Sequence, residues 1–182
     1  MNARPAHGFT LIELMVSITV LGILTMLALP SYGRWIANMQ VRNMAESIQN
    51  GLRSAQREAV ARNGSASFLL TNDSPPTCTS TQANDGANWA VCSGSTLVQQ
   101  NSGKSGSASA IVSSPEFTAV TFDGLGRPTL NSAATISITS ANGSCQQASS
   151  DGVRCLNVLM SSGGKVRLCD PRLPAGNPSA CS

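Results

Sequence analysis

Histidine is almost absent from this 182-residue chain; the only one is His7, close to the N-terminus. None of the six cysteines stands at Cys-x-x-Cys spacing, so a Cys/His zinc site is not expected, and no other metal or cofactor is indicated. Charged side chains are scarce too, at 12%, and the net charge of +3 describes a weakly basic protein and not a polycation. Whole-chain charge therefore argues little about nucleic acid; such a case must rest on local clustering. Aromatic residues make up 4% and do not interleave with cations, which gives no support for stacking on single-stranded bases. No nucleophile–base pair, glycosidase-type pair of acids or phosphate loop stands out. Gly124-Leu125-Gly126 lacks the further glycine of a dinucleotide fingerprint and reads as a turn. An enzyme is not the expected class, and there is no internal repeat.

What the chain does have is a long apolar run behind a polar leader. Met1 to Gly8 carries Arg4 and His7, and from Phe9 there are 21 residues before Pro30. At about 1.5 Å per residue that is enough helix to cross about 30 Å of hydrocarbon. A cleavable secretory signal fits badly, because Ala28-Leu29-Pro30 puts proline directly after the would-be cut. A plain signal anchor is the competing reading. It leaves Glu13 unexplained, since a carboxylate inside an apolar span is costly without a partner. The basic leader favours the cytoplasmic side, which sends the remainder of the chain outward.

Gly8-Phe9-Thr10-Leu11-Ile12-Glu13-Leu14-Met15-Val16 resembles the type IV prepilin signal. The resemblance implies cleavage after Gly8, N-methylation of Phe9, and an apolar helix that serves first as membrane anchor and then as filament core. It also implies that Glu13 pairs with the N-terminal amine of a neighbouring subunit. A carboxylate in a low dielectric seeks a cation, and the new amine at Phe9 supplies one. Glu13 is thus an assembly residue and not a catalytic acid. Gly22 and Pro30 are expected to interrupt the helix. The partners implied are major and minor pilins, a prepilin peptidase and an inner-membrane assembly platform. The implied location is the inner membrane, single-pass with a periplasmic head, and then an extracellular pilus.

Four segments are expected: a leader over 1–8, the transmembrane and filament-core helix over 9–29, an amphipathic continuation over 30–62, and a β-rich head with disulfides over 63–182. In the continuation, Ile36, Val41, Met44, Ile48, Leu52, Ala55 and Ala59 recur mostly at steps of three and four, with a gap of five after Ile36. Gly51 weakens the helix interior slightly, and Asn63-Gly64 should stop it. Strands are expected over 67–70, 89–92, 117–122, 134–139, 155–160 and 165–169, the last two forming a hairpin across Ser161-Ser162-Gly163-Gly164. Residues 72–86 and the Gly/Ser-rich 99–109 read as loops, the second mobile at its tip. The fold class is α+β, a type IV pilin fold with one long helix packed on an antiparallel β-rich head.

All six cysteines, Cys78, Cys92, Cys145, Cys155, Cys169 and Cys181, lie in the exported part, which suggests disulfides in an oxidising compartment. Six cysteines allow 15 pairings. Closure of neighbours, Cys78–Cys92, Cys145–Cys155 and Cys169–Cys181, is preferred because it would pin polar loops with little core of their own, each bridge contributing about 2–4 kcal/mol.

Phe122-Asp123-Gly124-Leu125-Gly126-Arg127-Pro128 and Gly163-Gly164-Lys165-Val166-Arg167-Leu168-Cys169-Asp170-Pro171 resemble segments of the FimT/GspH group of pilin-like proteins. FimT proteins that bind DNA resemble the second segment through Gly-Arg-x-Arg; the matching residues are Gly164-Lys165-Val166-Arg167, with lysine for the first arginine. A point charge still attracts phosphate, but the bidentate fork is lost. Lys165 and Arg167, two apart, would share one side of a strand, and a Cys169–Cys181 bridge would gather Arg172 with them at one hairpin end, with Arg154 on the adjacent strand. Such a patch suits the phosphates of double-stranded DNA, read without sequence preference. Two functions follow as expectations: a minor pilin that captures extracellular DNA for natural transformation, or a GspH-like minor pseudopilin of a type II secretion system that binds other pseudopilins or cargo. The bland alternative for the cations is a solvated strand face that keeps the head soluble.

Overall fold

The computed structural model describes residues 9–146 and 152–181 and, of residues 27–31, the helical backbone alone. The leader, with the Gly8 side of the processing position, lies outside the described residues.

One helix, α1 (Leu11–Ala61, 51 residues), runs the length of the N-terminal third. Thr10 caps it from an extended conformation, its Oγ1 accepting the Glu13 backbone N–H at 3.3 Å. Thr10-x-x-Glu13 has capping-box spacing, and a carboxylate in the first turn also complements the helix dipole. The expected interruption at Gly22 and Pro30 is absent, because α1 continues through both. Proline deletes one donor of the ladder, and the bonds on either side suffice to keep the backbone helical. At the far end Asn63 takes a left-handed φ of 45°. The Asn63 N–H donates to the Val60 carbonyl at 3.1 Å and the Gly64 N–H to the Ala59 carbonyl at 3.0 Å. These two bonds make a Schellman stop.

The first half of α1 is exposed on every side, from Leu11 to Met26. An all-round apolar helix belongs in lipid or in a helix bundle. Among the described residues no helix is long and apolar enough to cross a membrane. The described side chains of the run end at Met26, and residues 27–29 fall outside them. The second half is amphipathic. Its buried stripe is Ala37, Val41, Met44, Ala45, Ile48, Leu52, Ala55 and Ala59. Ile36, the first residue of the periodic pattern in the sequence, is only partly buried. Ala37 replaces it, and the irregular gap of five becomes a regular step of four.

Among the described residues eight strands follow: β1 (Ala66–Thr71), β2 (Asn88–Ser93), β3 (Thr96–Asn101), β4 (Ala110–Ser113), β5 (Ala119–Phe122), β6 (Ala134–Ser140), β7 (Leu156–Met160) and β8 (Val166–Cys169). They form two antiparallel four-stranded sheets, ordered β3-β2-β1-β5 and β4-β6-β7-β8. The stripe of α1 packs on both, and one core joins helix and sheets. The α+β architecture of a long helix on an antiparallel head is thus present, with its strands divided between two sheets.

Two strands escape the sequence pattern. β3 takes 99–101 out of the expected mobile loop, and all six of its residues are exposed, so no alternation marks it. It is held by pairing with β2. β4 is only four residues long. The strand expected over 117–122 begins at Ala119, because Ser114 Oγ donates to the Phe117 carbonyl at 2.6 Å and holds a turn there. The 72–86 loop covers the outer face of β1 and β2. Leu69, Ala90 and Cys92 form a small second cluster there with Cys78 and Ala119. The Cys78–Cys92 disulfide ties that cover down, and Cys145–Cys155 and Cys169–Cys181 are the other two bridges.

Gly51 is a packing residue. A Cβ there would stand 2.8 Å from Phe68 Cε2 and 3.0 Å from Trp89 Cδ2. The two rings, with centroids 5.8 Å apart, are fully buried, and Trp89 is anchored by its N–H to Ser47 Oγ at 3.0 Å. Helix propensity alone would favour Gly51→Ala by about 1 kcal/mol. Overpacking two immobile rings outweighs that gain, so the substitution is expected to cost about 1–3 kcal/mol net, read by urea denaturation of the head.

Candidate nucleic-acid interface

The β7–β8 hairpin carries the cations singled out from sequence, and the structure sorts them into two groups. Inward-facing residues of the hairpin are Leu156, Val158 and Met160 on β7 and Val166 and Leu168 on β8, paired Val158↔Leu168 and Met160↔Val166. Arg167, opposite Leu159, therefore points outward, as does Cys169. Lys165 sits at the hairpin turn, exposed, one residue before β8. Arg167 is half-buried because the C-terminal tail lies across it. Its Nη1 donates to the Ala180 carbonyl at 2.9 Å, and the Cys169–Cys181 bridge and the Asp170 N–H to Ser179 carbonyl bond at 2.8 Å hold the tail in place. That bond orients the guanidinium.

Arg154 and Arg172 are at the other end of the hairpin. From Lys165 to Asp170 the strand climbs about 16 Å at about 3.3 Å per residue. Lys165, at the turn, is therefore set apart from Asp170, whereas Arg167 reaches Ala180, which bridges Asp170. Both arginines converge on Asp170, which is 2% exposed: Arg154 Nε lies 2.7 Å from Oδ2, and Arg172 Nη2 is 3.9 Å away. The Arg172 backbone N–H donates to Oδ1 at 2.9 Å, and its Nη1 donates to Gln146 Oε1 at 2.8 Å. A buried carboxylate needs that many partners. These two arginines hold Asp170 in place, and the three side chains together carry one net positive charge.

Removing the acid tests this assignment. Asp170→Ala is expected to lower stability by about 1–3 kcal/mol in thermal or urea unfolding, since Arg154 Nε and the Arg172 N–H, both part-buried, lose a charged acceptor. Binding of DNA by the folded variant should be equal or stronger, because one negative charge is gone.

Sequence reasoning missed the neighbour of Lys165. Gln56 on α1 donates through Nε2 to the Gly126 carbonyl at 2.8 Å and to the Gly164 carbonyl at 3.2 Å, stitching two turns together. A Cβ on Gly164, whose φ is +85°, would come within 2.5 Å of the Gly126 oxygen, so only glycine allows this approach. Each glycine is followed by a cation, Arg127 and Lys165. Arg127 brings its own counter-ion, Asp123 Oδ2 at 3.0 Å from Nε, so it adds hydrogen-bond donors and no net charge. The Arg127 backbone N–H, first, holds the Asp123 carboxyl below its usual range, helped by the Leu125 N–H and the Arg127 side chain. The only hint in the sequence was that both turns belong to segments with the same resemblance. Arg53 completes the support, its Nη2 donating to the Val166 carbonyl at 3.1 Å.

A groove of about 380 Å³ lies between α1 and the Asp170 end of the hairpin, lined by Trp35, Met39, Arg42, Arg154, Leu168 and Asp170 among others. Among the described residues no group of His, Cys, Asp or Glu is placed to hold a metal ion. Phe9 is 82% exposed, and Glu13, on the first turn of α1, is exposed as well.

Residues 3–29 match the prokaryotic N-terminal methylation motif, and residues 44–172 match the family described as type II transport protein GspH. A fimbrial protein of Moraxella nonliquefaciens is 47% identical over 55 residues, 30% of this chain and 34% of the relative. The type IV major alpha-pilin of Moraxella bovis is 43% identical over 51 residues, 28% of this chain and 31% of the relative. The chain thus matches about a third of the length of these curated relatives. Among solved structures, the type IV minor pilin FimU of Pseudomonas aeruginosa superposes with a TM-score of 0.55 at 17% identity, covering 78% of this chain and 95% of that one. At that identity the likeness is one of fold.

Proposed function

The chain belongs to the GspH family of pilin-like transport proteins, and from that premise we propose that it is a FimT-type minor pilin whose head binds double-stranded DNA for uptake. The N-terminal methylation motif and the pilin fold support a subunit that is membrane-anchored and then joins a filament with other pilins. On this reading a prepilin peptidase cuts between Gly8 and Phe9, and an inner-membrane platform extracts the helix. The head stands in the periplasm and then outside the cell.

The observation that carries the DNA reading is the outward pairing of Lys165 and Arg167 on a hairpin edge braced by the tail disulfide and by Gln56. Two or three phosphate contacts are available per head. That number predicts weak, sequence-indifferent binding with a log–log salt slope of about −2 to −3. Several heads on one filament would raise retention through avidity. Anisotropy of a labelled duplex titrated with the detergent-solubilised chain, repeated across salt, measures both. A second reading, a pseudopilin of type II secretion, is favoured by the description of the matched family itself. It predicts no duplex binding at low salt and instead capture of other pseudopilins by the same head.

A further inference from the structure

We infer that Tyr32 and Trp35 form an interfacial anchor that holds the unassembled subunit at the outer headgroup layer of the bilayer. Both side chains are exposed, at 60% and 58%, and their rings stack with centroids 5.9 Å apart. Solvent exposure of two stacked aromatic rings is unfavourable in water. It suits a boundary where one edge is apolar and the other wet. Their height along α1 fits that boundary. Tyr32 lies 21 residues and Trp35 24 residues beyond Leu11 on one continuous helix. At about 1.5 Å per residue they stand about 31 and about 36 Å from the first residue of the helix. The hydrocarbon core is about 30 Å thick, and each headgroup layer adds about 5–7 Å. Tyrosine and tryptophan concentrate in that layer.

The rest of the helix agrees. Below the pair, the side chains from Leu11 to Met26 are exposed on all sides. Above it, α1 turns a buried stripe to the head from Ala37 onward. The pair thus occupies the first described turn above the apolar run and stands just below the head-packing stripe. Separated by three residues, the two rings lie on one side of the helix, and Arg34 between them is exposed at the same level. The occupant inferred is a phospholipid headgroup layer. The anchor would fix the depth and rotation of α1 before extraction, so that Phe9 and Glu13 are presented at a constant level. This rests on the membrane-anchored reading proposed above and not on the DNA reading.

The chain's two tryptophans make the test direct, because Trp89 is buried and bonded to Ser47. The processed full chain would be reconstituted in phosphatidylcholine vesicles brominated either just below the glycerol or at the chain ends. Shallow bromine is expected to quench about half of the tryptophan emission and deep bromine little. The quenchable part should vanish in Trp35→Phe, a variant that leaves the core intact. Emission quenched by aqueous acrylamide and by neither bromine would place Trp35 in water and overturn the inference. Stronger quenching by deep bromine would overturn it as well, placing the ring inside the hydrocarbon. So would shielding of Trp35 seen only in filaments and not in vesicles, which would make the pair a contact with a second subunit.

Discussion

Glu13→Gln is expected to reduce incorporation into filaments by about a hundredfold or more while leaving α1 helical. Two roles compete for this residue. In the described chain it lies three residues after Thr10, whose hydroxyl accepts its N–H, and a first-turn acid stabilises a helix start. Such a role is worth about 0.3–1 kcal/mol at an exposed end. The proposed pairing with the amine of a neighbour's Phe9 in a dry filament core makes a larger demand on the charge. Removing one partner there strands the other charge, at about 3–5 kcal/mol. Glutamine keeps the size and much of the hydrogen bonding of glutamate and discards only the charge. Near-normal filament content for Glu13→Gln, measured by quantitative immunoblot of sheared filaments, would reduce Glu13 to a capping residue.

The second large effect is expected at the hairpin edge. Lys165→Gln with Arg167→Gln should weaken duplex binding by about tenfold or more at low salt and flatten the salt slope by about 2. Arg154→Gln should behave differently. Its charge is already matched by Asp170, so its loss should act mainly on stability, with Asp170 left short of a partner. Equal loss of DNA binding from the Arg154 and Arg167 variants would show that net charge, and not the outward edge, attracts the duplex. The Lys165 position carries a further expectation. Arginine there would restore a bidentate fork, so Lys165→Arg should bind tighter than the natural chain.

The elements legible in the sequence were those whose burial is periodic. The helix stripe from Val41 to Ala59 and the strict alternation of buried and half-buried positions along β6, from Ala134 to Ser140, both imprint burial on residue type. β3 carries no such imprint, because it is an edge strand exposed at every position and owes its conformation to β2. The gap after Ile36 was an error of identity. Alanine at 37 is small enough to be passed over, yet it is the residue at the contact. Pro30 misled for a different reason, since proline costs one hydrogen bond and a helix of 51 residues survives that loss.

The candidate site was half legible. The period of two placed Lys165 and Arg167 on one side, and the structure keeps Arg167 outward. No pattern in the chain announces that Asp170 is buried, and that buried carboxylate is what Arg154 and Arg172 converge on. The approach of the Gly126 turn to Gly164 is likewise invisible in sequence, because it is a long-range contact fixed by one glutamine on the helix.

Mass spectrometry of the chain recovered from sheared surface filaments tests the account at its base. The account predicts a polypeptide that begins at N-methylated Phe9, has lost the eight leader residues and carries three intact disulfides. A chain that is missing from the filament fraction, or that begins well beyond Phe9, would contradict it.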